Sequence, residues 1–401
     1  MFETQYFSEV LWFLFAAVLV SAISARLKSS PVLGYLMAGV IMGPWALDLI
    51  QHVENSKRIA ELGLVFLFFA IGLGMSFERL IILRRYLFGL GSVQVILSGA
   101  ALVGILTIFD LPLMTSLIIA SSLALSSTAI VLQLFSEHNE MSTRHGRVTF
   151  SILLLQDLAA ILLLVWVDFL KPNPTAVEAV TMVSVALNVL KSAGGVVLMI
   201  VLGRFVIRPV FRFLGDSYQA DLFMAFTLLV ILGTSALAQK VGVSIEFAAF
   251  TIGILLSDSE FRNKVETVIR SFRGLLLGLF FMGIGMSINI TMLWTYLSLI
   301  LGLMCFFMPI KFVITYIASR SFGLSHWVSV RISTYIAPGG EFAFVILGPA
   351  VMFCLISEAH GNIAVLAAAI SMMFTPLLDR LIRWLMPAEE EQDDVLEEEI
   401  S

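Results

Sequence analysis

The chain reads as an all-α polytopic membrane protein of about thirteen spanning helices, and three observations predict it. Of its 401 residues, 59% are hydrophobic and 13% charged, against ~45–50% apolar and ~25% charged in soluble domains. At a mean hydropathy of +0.99, too few polar side chains exist to cover a soluble surface. Polar punctuation cuts the sequence into windows of roughly 20 apolar residues, the length a helix needs to cross a bilayer. Within them the pattern is helical or apolar all round, not the ten-residue alternation of a membrane barrel.

The windows fall at 7–25, 31–50, 57–75, 85–108, 112–134, 148–170, 183–210, 219–239, 241–257, 268–289, 293–319, 326–356 and 362–386. The first follows Met1-Phe-Glu-Thr, which lacks the basic start and cleavage site of a signal peptide, so it is expected to be a retained helix. The third carries Phe68-Phe-Ala-Ile-Gly-Leu-Gly-Met-Ser, echoed in the tenth by Phe280-Phe-Met-Gly-Ile-Gly-Met-Ser. The second and ninth share a small-residue-rich run in which Gly39 matches Gly253. Each pair lies seven windows apart. An odd offset sends the second copy into the membrane from the opposite side, which is an inverted-topology repeat, a plan common in secondary transporters. The same offset maps Ser126-Ser127-Thr128 in the fifth window onto Pro338-Gly339-Gly340 in the twelfth. Both triplets loosen helical hydrogen bonding. Two broken, crossing helices are therefore expected, with freed carbonyls and hydroxyls suited to a partly dehydrated alkali cation.

The sixth window holds Gln156 and Asp157 in the middle of an apolar run. A carboxylate at that depth costs roughly 2.5–3.5 kcal/mol or more, so it marks a place where a charge pairs, meets water or binds an ion. Asp157 is the candidate cation- and proton-binding group, because one carboxylate holds a proton or a metal ion but not both. The amide oxygen of Gln156 either completes the coordination shell or, turned about 100° away by the helix, braces a neighbour. Ser126, Ser127 and Thr128 are candidate ligands. Lys311, central in the eleventh window, is too deep to snorkel and is expected to meet an anion or the negative helix ends at the crossover. Glu341, after the break at Pro338-Gly339-Gly340, is expected to offset a helix dipole. Arg331 is expected to reach the membrane boundary, and the role of Glu246 is open.

Lys and Arg set the orientation. Lys57, Arg58, Lys171, Lys191 and Lys240 lie on one side, against a larger set including Arg84, Arg85, Arg144, Arg147, Arg320, Arg380 and Arg383. This puts the N-terminus outside and the C-terminus in the cytoplasm. Acidic residues crowd 387–401, which reads as a solvated tail or linker. Cys305 and Cys354 are expected to be buried spectators, and His138 and His145 to share a solvated loop. No nucleophile–base set or metal cluster is visible, so no enzyme, cofactor or nucleic-acid partner is expected.

Several stretches resemble the Kef glutathione-gated potassium efflux systems of the monovalent cation–proton antiporter superfamily. They are Val32-Leu-Gly-Tyr-Leu-Met-Ala-Gly-Val-Ile-Met-Gly-Pro-Trp, Leu123-Ala-Leu-Ser-Ser-Thr-Ala-Ile-Val-Leu-Gln, Leu155-Gln-Asp-Leu-Ala-Ala-Ile, Gly274-Leu-Leu-Leu-Gly-Leu-Phe-Phe and Gly340-Glu-Phe-Ala-Phe-Val. The Gln-Asp pair is similar to the Kef pattern, where related sodium exchangers commonly show Asn-Asp or Asp-Asp. The resemblance implies a sodium/proton antiporter-like fold within 1–386. It implies a homodimeric scaffold near 7–75 and 219–289, a mobile core near 85–170 and 293–386, and a linker helix near 183–210. It implies an ion-binding carboxylate at Asp157 with Gln156 beside it, a core lysine at Lys311 and a crossover at Ser126, Ser127 and Thr128. Potassium/proton exchange in a bacterial inner membrane is the expected activity; sodium/proton exchange, a channel-like potassium pathway and a sodium-coupled symporter are the alternatives. Kef proteins continue through an acidic linker into a nucleotide-binding regulatory domain, so such a domain or an ancillary subunit, absent from 1–401, is an expected partner besides membrane lipid. Gly74 stands where the family usually has an acid, and Glu246 where it usually has a small apolar residue.

Overall fold

The computed structural model of the chain describes residues 2–27, 31–50, 53–74, 83–171, 201, 203–215, 220–241, 245–287 and 290–385. Every regular element among them is helical. In chain order they are α1 (Phe2–Leu27), α2 (Pro31–Met42), α3 (Val53–Gly74), α4 (Ser92–Ile108), α5 (Leu113–Ala124), α6 (Thr128–Glu137), α7 (Arg144–Phe169) and α8 (Arg208–Gly215). There follow α9 (Ala220–Val241), α10 (Ile245–Ser257), α11 (Arg262–Ser287), α12 (Ile290–Thr295), α13 (Leu297–Ser321), α14 (His326–Ile336), α15 (Phe342–Met352) and α16 (Glu358–Leu385). Wider π-helical turns, Arg85–Gly91 and Gly203–Ile207, lead into α4 and α8. Six described stretches are long and apolar enough to cross a membrane: Arg85–Ile108, Leu113–Glu137, Arg144–Phe169, Asp221–Lys240, Leu297–Ser321 and Glu358–Leu385. Shorter apolar helices cover Leu11–Ile23, Val65–Gly74, Phe247–Ser257 and Phe342–Met352. Most of the linker helix expected near 183–210, and the acidic tail, lie outside the described residues.

The chain divides into two compact units, one of Met1–Arg26, Gly34–Ile81 and Pro172–Ser287, the other of Leu27–Leu33, Ile82–Lys171 and Ile288–Ser401. In the first, α3 packs along both α10 and α11. Glycines set these contacts. A Cβ at Gly72 would run into the Phe250 carbonyl of α10, and one at Gly253 into the Phe69 carbonyl of α3. Gly39 of α2 and Gly285 of α11 meet in the same reciprocal way, against the Met282 and Leu36 carbonyls. The repeated motifs thus mark paired backbone approaches that no side chain would allow. The second helix is shorter than its window of 31–50: α2 stops at Met42, because Pro44 disfavours helical backbone at Gly43, and a turn with Asp48 at φ 51° follows.

The second unit holds α4–α7 and α12–α16, and both expected breaks are there. The fifth window divides into α5 and α6, with Leu125 (ψ 153°) and Ser127 (ψ 106°) extended. Ser127 restarts the helix by accepting the Ile130 N–H on its hydroxyl at 3.3 Å. The twelfth window divides into α14 and α15 across Ala337–Glu341, where Pro338 has no N–H to continue the ladder. Gly340 is needed there for close approach: its Cβ would lie 2.5 Å from the carbonyl carbon of Ser126. The two interruptions therefore touch through their main chains.

Candidate functional site

Around that contact the second unit gathers its buried polar groups. Asp157, on the α7 face turned to the break, is 3% exposed, and its Oδ1 accepts the Thr128 hydroxyl at 2.7 Å. Thr128 is the first residue of α6, so the carboxylate stands at a helix start, where the dipole favours negative charge. Gln156, one residue earlier, is turned aside. Its Oε1 accepts the main-chain N–H of Ser126 at 2.8 Å, and its Nε2 donates to Oε1 of Gln94 at 2.7 Å. Of the two roles open to it in the sequence, bracing describes its position here.

Lys311 of α13 is fully buried and reaches the crossover itself. Its Nζ donates to the Leu125 carbonyl (2.9 Å), the Ser126 hydroxyl (3.0 Å) and the Pro338 carbonyl (2.7 Å). One ammonium thus ties both broken helices through neutral oxygens that the breaks release. The Ser126 hydroxyl adds a further tie by donating to the Ile336 carbonyl at the end of α14, 2.6 Å away. Gly339 N–H donates to Ser371 of α16 at 2.9 Å. Glu341 crosses over in return: its Oε1 accepts the Ala129 N–H at 3.2 Å, in the first turn of α6. Its carboxylate therefore stands at the N-terminal end of the opposite broken helix, not of its own.

All the candidate residues therefore converge in one unit. Asp157, Thr128, Ser126 and Lys311 form the centre, Gln156 and Glu341 its brackets, and Ser127, Pro338, Gly339 and Gly340 shape the backbone. Gln94, fully buried on α4, was not foreseen; a single amide in an apolar window carries no spacing signal. A second polar cluster was missed as well. Glu140, in the turn between α6 and α7, makes a two-pronged pair with Arg383 of α16 at 2.6 and 3.0 Å. Arg383 also reaches Asp379 (2.9 Å), which accepts the Tyr335 hydroxyl (2.7 Å) and lies 3.5 Å from His138. His145 and Arg331 stand 3.2 and 3.6 Å from Glu140. Burial alone would raise the Glu140 carboxyl. Its hydrogen bonds to His145 and Arg383, and their charges, outweigh that and hold it at about 2.

Two expectations change here, those for His145 and for the two cysteines. His145 is fully buried against Glu140, Phe135 and Tyr335 instead of solvated, because the α6–α7 turn folds back onto α14 and α16. Arg331 is 6% exposed and faces the same cluster. Cys305 and Cys354 are both exposed, on the outer side of apolar helices or in the turn after α15. A Cβ at Gly74 would meet open space; the side chain of Glu246 lies outside the described residues.

The site is thus two interrupted helices crossing beside a buried carboxylate, with a lysine bound to the carbonyls that the breaks free. The transmembrane sodium/hydrogen exchanger family model matches residues 14–380, and the chain belongs to that family. It is 40% identical to K(+) efflux antiporter 2, chloroplastic, of Arabidopsis thaliana, across 96% of this chain and 34% of the relative. The same figures hold for K(+) efflux antiporter 1, chloroplastic, of that plant. The chain thus spans about a third of the length of the curated relatives it matches. Among solved structures it is similar to the sodium proton antiporter MjNhaP1 from Methanocaldococcus jannaschii at pH 8, with TM-score 0.68 and 16% identity over 94% of this chain and 98% of that one. An electron-microscopy structure of MjNhaP1 gives 0.67 at 16% identity over 94% and 96%. The likeness establishes the sodium/proton antiporter-like fold.

Proposed function

We propose that the chain is the membrane part of a monovalent cation/proton antiporter that exchanges potassium for protons by alternating access. The single observation that carries this reading is Asp157, buried beside the crossing of two broken helices, with the Thr128 hydroxyl on its carboxylate. A cation entering there would take the Asp157 carboxylate, the Thr128 hydroxyl and the carbonyl of Ser126, with Ser127 shaping the turn. Gln156 holds the unwound strand, and Lys311 and Glu341 hold the crossing. With one carboxylate that binds a proton or a cation in turn, exchange is electroneutral. The names of the 40% identical relatives support potassium; the family description supports sodium as the second reading.

The division into two compact units supports separate core (about 85–170 and 293–386) and scaffold (about 7–75 and 219–289) parts, and the Kef resemblance supports a core that moves and a scaffold that forms a homodimer. The Lys and Arg distribution supports an outside N-terminus and a cytoplasmic C-terminus, and the Kef resemblance supports a bacterial inner membrane. The Kef resemblance supports a regulatory nucleotide-binding domain or subunit as partner. The test is proton movement in proteoliposomes with inward gradients of potassium, sodium, rubidium and lithium in turn. Potassium-driven proton efflux without net current is expected. Unitary current steps at equal pH, or no cation-driven proton movement, would contradict the proposal.

A further inference from the structure

Gln94 belongs to no part of the site read from the sequence, yet it closes a chain of hydrogen bonds across the first helix break. It is fully buried on α4. Its Nε2 donates to the Ala124 carbonyl and to the Ser98 hydroxyl, each at 3.3 Å, and its Oε1 accepts from Gln156 Nε2 at 2.7 Å. Gln156 Oε1 then accepts the Ser126 N–H at 2.8 Å. The chain begins and ends on main-chain groups flanking the break, Ala124 as acceptor and Ser126 as donor.

Those two ends fix its direction. A main-chain N–H only donates and a carbonyl only accepts, so Gln156 must present oxygen to Ser126 and Gln94 must present nitrogen to Ala124. Turning either amide over would set like against like at both of its junctions in the relay. The two amides replace the helical bonds that the Ala124 carbonyl and the Ser126 N–H lose by unwinding, and hold these two residues in fixed relation. Leu125, between them, thereby aims its carbonyl at Lys311, and Thr128, three residues on, meets Asp157.

We propose that Gln94 is a positioning residue for cation binding: through the Gln156 amide it sets the unwound segment Leu125–Ser127 and keeps an uncharged side chain next to Asp157. This rests on the antiport reading above. An acid at position 156 would leave the Gln94 oxygen facing a carboxylate oxygen. An acid at position 94 would have no proton for Ala124. The relay therefore accounts for an amide, not an acid, at position 156 of this chain.

The test is a double-mutant cycle on Gln94→Leu and Gln156→Leu, read as KM and kcat for potassium and as the potassium-to-sodium ratio of exchange in proteoliposomes. Gln94→Leu is expected to raise KM for potassium about tenfold (about 1.4 kcal/mol), with a smaller change in kcat, and to lower the ratio. The two substitutions are expected to be non-additive, the pair costing little more than Gln156→Leu alone. Unchanged KM and ratio, or additive effects, would overturn the proposal. If Gln94→Leu does not fold, Gln94→Asn, which keeps the amide but shortens its reach, carries the same prediction at smaller amplitude, and parental values there would overturn it. If the parent protein itself exchanges neither cation for protons, the antiport reading fails. The thermal-midpoint cycle of the same variants then decides the relay alone, coupling supporting it and additivity refuting it.

Discussion

Replacing Lys311 with Met is the sharpest perturbation of the crossover, because it removes the ammonium and keeps nearly the same volume. In the parent, the burial penalty of the ammonium, several kcal/mol, is offset by three charge-assisted hydrogen bonds to Leu125, Ser126 and Pro338. Both terms vanish together in Lys311→Met. What remains are two buried carbonyls, Leu125 and Pro338, stripped of this donor. At ~1–3 kcal/mol each, the net loss is roughly 2–6 kcal/mol. For a unit of about 200 residues, each kcal/mol moves the melting midpoint by ~2–4 °C, so a fall of about 5–20 °C is expected on thermal unfolding in detergent. Lys311→Arg should fall between the two, since a planar guanidinium does not meet three converging oxygens as a rotating ammonium does. A Lys311→Met variant that melts within about 1 °C of the parent and still transports would refute the claim that one ammonium ties the two broken helices.

Three further outcomes follow from the same geometry. Gly340→Ala should cut transport at least tenfold, because its Cβ would lie 2.5 Å from the Ser126 carbonyl carbon, whereas Gly348→Ala, with nothing within 4 Å, should leave it unchanged; initial exchange rates compare them. Thr128→Val removes the hydroxyl donated to Asp157 and should raise KM for the cation roughly tenfold, as loss of a hydrogen bond to a charged group implies, while Thr128→Ser retains most of the affinity. The Glu140 carboxyl titrates at about 2, below its ordinary 4.5, so its stabilisation is present above the ordinary value and is lost as pH falls from there through about 2. Melting midpoints measured across that range should drop in the parent and drop less in Glu140→Gln.

Much of the centre was legible because its residues break local rules. A charge in an apolar window, a Pro-Gly-Gly in another and a lysine too deep to snorkel each conflict with the membrane's preference, and those conflicts led to Asp157, Pro338 and Lys311. The bracing residues break none. Gln94 is one amide on a helix with no periodic partner, and its meaning comes only from α4 lying against α5 and α7. Glu140 and Arg383 are 243 residues apart, and the turn that brings them together depends on Asn139 adopting φ 59°. His145 reads as a loop residue because it precedes the apolar window that opens at 148, yet Thr143 caps α7 and turns the ring inward. The early end of α2 was encoded in Gly43-Pro44, a stop signal that the hydrophobic count overrode.

The account stands on Asp157 as the group where proton and cation exclude each other. Proton release on adding potassium to the purified protein, in weakly buffered detergent near neutral pH, tests this directly. Proton release that rises with the potassium bound by the parent, and none by Asp157→Asn, is the predicted result. Potassium binding without proton release, or undiminished release from Asp157→Asn, would contradict it.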